Sequence, residues 1–82
     1  MKLELYQEIA LNRDLPECNL HRGDIATLID YVSHPTGGEE GAILEVFNAL
    51  GESVSVVTVP VSSLDILQPN DILSIRRLAQ AS

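Results

Sequence analysis

Gly41-Ala-Ile-Leu-Glu-Val-Phe-Asn48, then Ala49-Leu-Gly-Glu52, then Ser53-Val-Ser-Val-Val-Thr-Val-Pro60: two β-rich runs flank a short segment holding Asn48 and Gly51. That arrangement is a hairpin signal, because Asn and Gly tolerate the turn conformations that reverse a strand. In the first run Ala42, Leu44 and Val46 alternate with Ile43, Glu45 and Phe47. Glu45 belongs in solvent, since an unpaired carboxylate is almost never buried. Leu44 and Val46 are therefore expected inside and Phe47 outside. A slip of one residue would bury Glu45, so the alternation also sets the register. On the return run Val54, Val56 and Thr58 oppose Ser53, Ser55, Val57 and Val59, and Pro60 stops the strand.

Upstream of the hairpin, Ile25-Ala-Thr-Leu-Ile-Asp-Tyr-Val32 is a second strand by its β-branched and aromatic content. Simple alternation puts Ile25, Thr27, Ile29 and Tyr31 on one face and Ala26, Leu28, Asp30 and Val32 on the other. Gly23-Asp24 before it is a turn that aims the strand. Residues 33–40 form the longest loop, with Pro35 unable to donate to a ladder and Gly37-Gly38 at a flexible apex. This loop is expected to be the most mobile internal part. Further upstream, Gln7 to Leu11 reads as a strand. Asn12 to Arg22 reads as a loop in which Pro16 opens one helical turn and Leu15 and Leu20 pin the loop to the core. Downstream, Val61 to Leu64 predicts a short 3₁₀ turn with Leu64 as a plug, Asp65 to Leu67 a short strand, and Pro69-Asn70-Asp71 a tight turn. Ile72 to Leu78 reads as a final strand, because its apolar residues sustain no helical stripe. Ala79 to Ser82 reads as a frayed tail.

Five or six short strands with almost no helix predict a mainly β single domain over residues 1–82, and a five-stranded SH3-like barrel is the economical solution at this length. A chain of 82 residues holds one small domain and a thin core.

Twelve acidic residues face five basic ones, for a net charge of −7. That balance opposes nucleic acid, whose affinity comes from counterions released by Lys and Arg. It opposes anionic lipid surfaces for the same reason. A basic protein partner is easier to argue, because complementary charge speeds encounter. The lone Cys18 cannot form an internal disulfide, which fits a reducing compartment. No apolar run approaches the roughly 20 residues of a membrane span, and no signal-peptide core is visible at the N-terminus. The expected location is cytoplasmic.

No catalytic constellation is visible, so the expected protein is not an enzyme and carries no cofactor. His34 with Glu39 and Glu40 could in principle hold a metal, but their spacing matches no structural zinc pattern, and a solvated loop explains them. Cys18 and His21 echo a nucleophile and base but lack an orienting third group. Arg22-Gly23-Asp24 matches an adhesion tripeptide, yet Gly-Asp is explained as a strand-opening turn. Gly37-Gly38 lacks the Lys and Ser/Thr of a phosphate loop. Arg76 and Arg77 are the one basic cluster, too small for a nucleic-acid footprint, and would pair with acids on the barrel or stay solvated. An outward Phe47 beside Glu45 could anchor a partner, or equally cap the open end of the barrel or lie beneath the Asn12 to Arg22 loop. Phe47, Glu45, Glu39 and Glu40 are accordingly the candidate protein-interface residues.

The runs Leu20-His-Arg-Gly-Asp-Ile-Ala-Thr-Leu-Ile-Asp-Tyr31, Leu44-Glu-Val-Phe-Asn-Ala-Leu-Gly-Glu52 and Val56-Val-Thr-Val-Pro60 resemble a family of small uncharacterised bacterial proteins, a domain of unknown function common in photosynthetic bacteria. The resemblance extends from Leu5 to about Arg76. It rests on an Arg-Gly-Asp-x-(Gly/Ala)-Thr opening of the second strand and on the hairpin that follows. Ala26 stands where Gly is the commoner residue, which weakens any argument for close backbone approach there. The resemblance implies an SH3-like barrel and no catalytic residues. Its members are often encoded beside another small protein, which implies antitoxin or immunity-type pairing. The leading expectation is a non-enzymatic acidic protein-binding module. An accessory subunit of a larger redox or photosynthetic complex is the second, and a nucleic-acid-associated barrel, disfavoured by charge, the third.

Overall fold

Apolar alternation and turn chemistry between them lay down a single antiparallel sheet. The computed structural model describes residues 3–34 and 36–78. Its strands are β1 (Glu8–Leu11), β2 (Ile25–Val32), β3 (Gly41–Phe47), β4 (Ser53–Pro60) and β5 (Leu64–Ile66), with 3₁₀ turns at Pro16–Cys18 and Val61–Ser63. The spatial order is β4-β3-β2-β1-β5, so the last strand returns beside the first. All four pairings are antiparallel. The chain is mainly β, as its sequence predicts.

The register expected for β3 holds. Leu44 is fully buried and Val46 nearly so, while Glu45 lies between Thr27 and Val56 on the opposite face. The core joins these residues to Ile9, Leu11, Ala26, Leu28, Ala42 and Val59, with Leu15 and Leu20 closing it from the loop between β1 and β2. Leu15 and Leu20 also bond to each other through their backbones, which ties that loop shut around the Pro16–Cys18 turn.

The hairpin between β3 and β4 is built by Asn48. Its side-chain oxygen accepts the N–H groups of Leu50 and Glu52, and its amide donates to the Glu52 carboxylate at 2.8 Å. Gly51 closes the turn through a 3.0 Å bond to the Asn48 carbonyl at φ 82°, a region that disfavours any side chain.

Three expectations are corrected. First, the faces of β2 do not alternate throughout. The pairing with β3 jumps between Leu28 and Asp30, and this bulge absorbs Ile29. Beyond it Tyr31, not Asp30 or Val32, packs on the core, and its hydroxyl donates to the Leu3 carbonyl. The shift keeps Asp30 in water. Second, Leu64 packs against the core as a plug but is only partly buried, and Ser63 beside it is the fully buried residue after β4. Third, Ile72 to Leu78 forms no strand. Ile72 and Ile75 are 92% and 91% exposed, and the segment pairs with no sheet edge. Strand propensity alone does not make a strand, because context decides whether a ladder forms. Here the turn at Pro69-Asn70, fixed by Asp71 bonding back to Gln68, follows β5, and the segment after it does not join that strand's free edge.

Pro35 and the tail from Ala79 to Ser82 lie outside the described residues. No helix among the described residues is long and apolar enough to cross a membrane.

Candidate functional site

The Arg22-Gly23-Asp24 tripeptide turns out to be the seat of a clasp. Gly23 sits at φ 92°, a conformation that a side chain would strain, and its N–H bonds to the Leu11 carbonyl at 2.8 Å. Asp24 closes the turn on His21: its backbone N–H bonds to the His21 carbonyl, and its carboxylate accepts the His21 N–H at 2.8 Å. The same carboxylate receives Arg76 from the C-terminal segment. Nε reaches Oδ1 at 2.8 Å and Nη2 reaches Oδ2 at 2.5 Å. A second bond from Nη2 goes to the Asn19 carbonyl at 3.1 Å. Asn19 ends the Pro16–Cys18 turn in the left-handed conformation, φ 57°. The guanidinium thus meets acceptors held by two separate turns. Burial alone would raise the Asp24 pKa, but the Arg76 bond, the His21 N–H and the neighbouring positive charges outweigh it and hold the carboxyl below its ordinary value.

Beside this clasp lies an apolar groove at the hairpin end of the sheet. Leu20, Val46, Phe47, Leu50, Val54 and Leu78 line it, together with Asp24 and Arg76 of the clasp itself. Phe47 is 41% exposed, Leu50 84% and Val54 42%. These side chains are contributed by β3, the Asn48–Glu52 turn and β4, and the turn's own bonding holds Leu50 out from the sheet.

The four candidate interface residues divide between two places. Glu45 and Phe47 sit on the hairpin half of β3, Glu45 half-buried and Phe47 at the groove. Glu39 and Glu40 lie before the other end of the strand, about 20 Å away at 3.3 Å per residue. Glu39 serves the corner after β4, where its carboxylate accepts the Ser62 N–H at 2.6 Å and closes the Val61–Ser63 turn. The Ser62 hydroxyl first, and then its N–H, hold the Glu39 carboxyl below its ordinary pKa. The Glu40 carbonyl accepts the Val61 N–H in the same turn.

His34 is engaged within its own loop, where Nδ1 meets the Thr36 backbone N–H and hydroxyl. Among the described residues no group of three His, Cys, Asp or Glu side chains is placed to hold a metal ion. Burial, and secondarily the Glu17 carboxylate, push the Cys18 thiol pKa up, which disfavours the nucleophilic thiolate. The Arg76–Asp24 pairing is the feature that residue-by-residue reading did not pick out. The two lie 52 positions apart, and the only signal was the expectation that Arg76 and Arg77 would find acids on the barrel.

The chain matches no protein-family model, no curated protein and no solved structure.

Proposed function

We propose that this chain is a small acidic protein-binding module without catalytic activity, and that the hairpin-end groove is its docking surface. The observation that carries this reading is the exposure of Phe47, Leu50 and Val54 together on one groove. Contiguous exposed apolar side chains on a small domain mark interaction surfaces, and aromatic anchors dominate binding energy. The net charge of −7 favours a basic partner, through attraction at long range. The strand order, together with a 3₁₀ turn between β4 and β5, supports treating the sheet as an SH3-like barrel. The family resemblance suggests that the partner is a small protein encoded nearby, paired in antitoxin or immunity fashion.

The test is affinity capture from the source cells with the wild-type chain and with Phe47→Ser and Leu50→Ser variants. A basic protein retained by the wild type, lost from both variants and loosened by salt is the expected result. Equal capture by all three chains would sink the reading. Co-migration of the native chain with a very large complex on gel filtration would favour the accessory-subunit alternative.

A further inference from the structure

We propose that Asp24 and the Asn19 carbonyl form an arginine-recognition site, filled in cis by Arg76 and open in trans to an arginine-bearing extended peptide segment of a binding partner. The inference rests on the protein-binding reading above and specifies the chemistry of the partner.

The acceptor set is organised without the arginine. The Asp24 carboxylate is oriented by the His21 N–H, and its backbone is locked to His21 and to Leu11. Asn19 is fixed as the closing residue of the Pro16–Cys18 turn. Two carboxylate oxygens and one carbonyl match the planar fork of a guanidinium, a geometry that a lysine ammonium cannot fill in the same way. The Asp24 side chain is only 17% exposed, so the pair is shielded more than an ordinary surface ion pair.

The cis ligand is lightly held. Between the Pro69-Asn70 turn and Leu78 the segment has no ladder pairing, and Ile72, Leu73 and Ile75 remain exposed. Arg76 is its anchor, and Leu78, two residues on, faces the groove of Phe47 and Leu50. A segment tethered this closely experiences an effective concentration of about millimolar. A trans segment that repeats the Arg-x-Leu contacts and adds apolar burial against Phe47 and Leu50 displaces it. The charge complementarity is direct, because an acidic chain presents one oriented carboxylate beside an apolar wall.

The test uses the full-length Arg76→Ala chain, which empties the site, and a capped peptide of sequence Asp71 to Leu78. Titration is followed by the backbone amide resonances of His21, Gly23 and Asp24. The expected result is saturable binding with a midpoint at about 0.1 mM, below that effective concentration of about 1 mM. The wild-type chain, whose own Arg76 competes, binds about tenfold more weakly, and a chain carrying Asp24→Asn as well as Arg76→Ala does not saturate. A peptide with lysine at the Arg76 position binds about tenfold more weakly than the arginine peptide. Arg76→Gln replaces Arg76→Ala should the alanine chain lose its amide dispersion. Absence of saturation by several millimolar peptide in a folded Arg76 variant overturns the proposal. So does equal binding by wild type and variant, or binding that survives loss of the Asp24 charge. The titration uses no cellular partner. It can therefore fail while affinity capture through Phe47 succeeds, or succeed while capture fails.

Discussion

Arg76 places its guanidinium across both carboxylate oxygens of Asp24, at 2.8 and 2.5 Å, and so fastens a strandless C-terminal segment to the turn that opens β2. The two side chains are 29% and 17% exposed. This pair belongs between a surface ion pair, worth at most about 1 kcal/mol, and a buried one. Arg76→Ala is expected to cost about 1 kcal/mol. Asp24→Ala is expected to cost about 2 kcal/mol, because it also strips the His21 N–H of its acceptor. Urea denaturation of the single and double variants checks this. The double variant should cost less than the two singles combined, since both remove the same contact.

The same pair sets a pH dependence. Asp24 titrates below its ordinary value in the folded chain, so it binds fewer protons folded than unfolded in that range. Its contribution is present above the unfolded carboxyl pKa of about 4 and is lost as pH falls through the lower folded value. The stability difference between wild type and Arg76→Ala should hold steady from neutral pH to about pH 5 and shrink below about pH 4. A difference that persists unchanged into acid would show that Arg76 acts through packing of its stem and not through Asp24.

Most of the sheet was legible because its signals are local. Asn48 and Gly51 announce the hairpin, Glu45 fixes which residues of β3 face the core, and Pro16 and Val61 mark the two 3₁₀ turns. The errors arose where a distant contact decides. The bulge at Ile29 depends on how β3 pairs with β2, and nothing in Ile25–Val32 itself reveals it. Ile72 to Leu78 has strand-forming residues but joins neither free edge of the sheet, at β4 or at β5, so propensity and outcome part. The groove was half legible: Phe47 was marked by alternation, whereas the clasp required Asp24 and Arg76 to be seen together.

Leu44 and Phe47 lie three residues apart on β3 and should respond very unequally to truncation. Leu44 is fully buried, and Leu44→Ala is expected to cost about 2–5 kcal/mol through lost burial and a residual cavity. Against a total of about 5–15 kcal/mol for domains in general, that loss threatens the fold of a chain with so thin a core. Phe47→Ser, at a 41% exposed position, should cost under about 1 kcal/mol and leave the melting profile close to wild type. Thermal melts separate the two. A Phe47→Ser chain destabilised as much as Leu44→Ala would assign Phe47 to the core and remove the anchor from the groove.

Ser63 offers the sharpest test of how the chain closes after β4. It is fully buried at the end of the Val61–Ser63 turn, and its Oγ has no hydrogen-bond partner among the described residues. A buried hydroxyl left unpaired costs about 1–3 kcal/mol, whereas a methyl group in its place keeps most of the packing and has nothing to satisfy. Ser63→Ala should therefore raise stability by about 1 kcal/mol, offset in part by the small void left by the oxygen. The backbone role of the residue is untouched, since its carbonyl still accepts the Asn12 N–H at 2.8 Å. Chemical denaturation of the two chains, read at matched slope, decides the matter. A loss of stability in Ser63→Ala would mean that the hydroxyl is satisfied in solution by an ordered water bridging the β4–β5 corner.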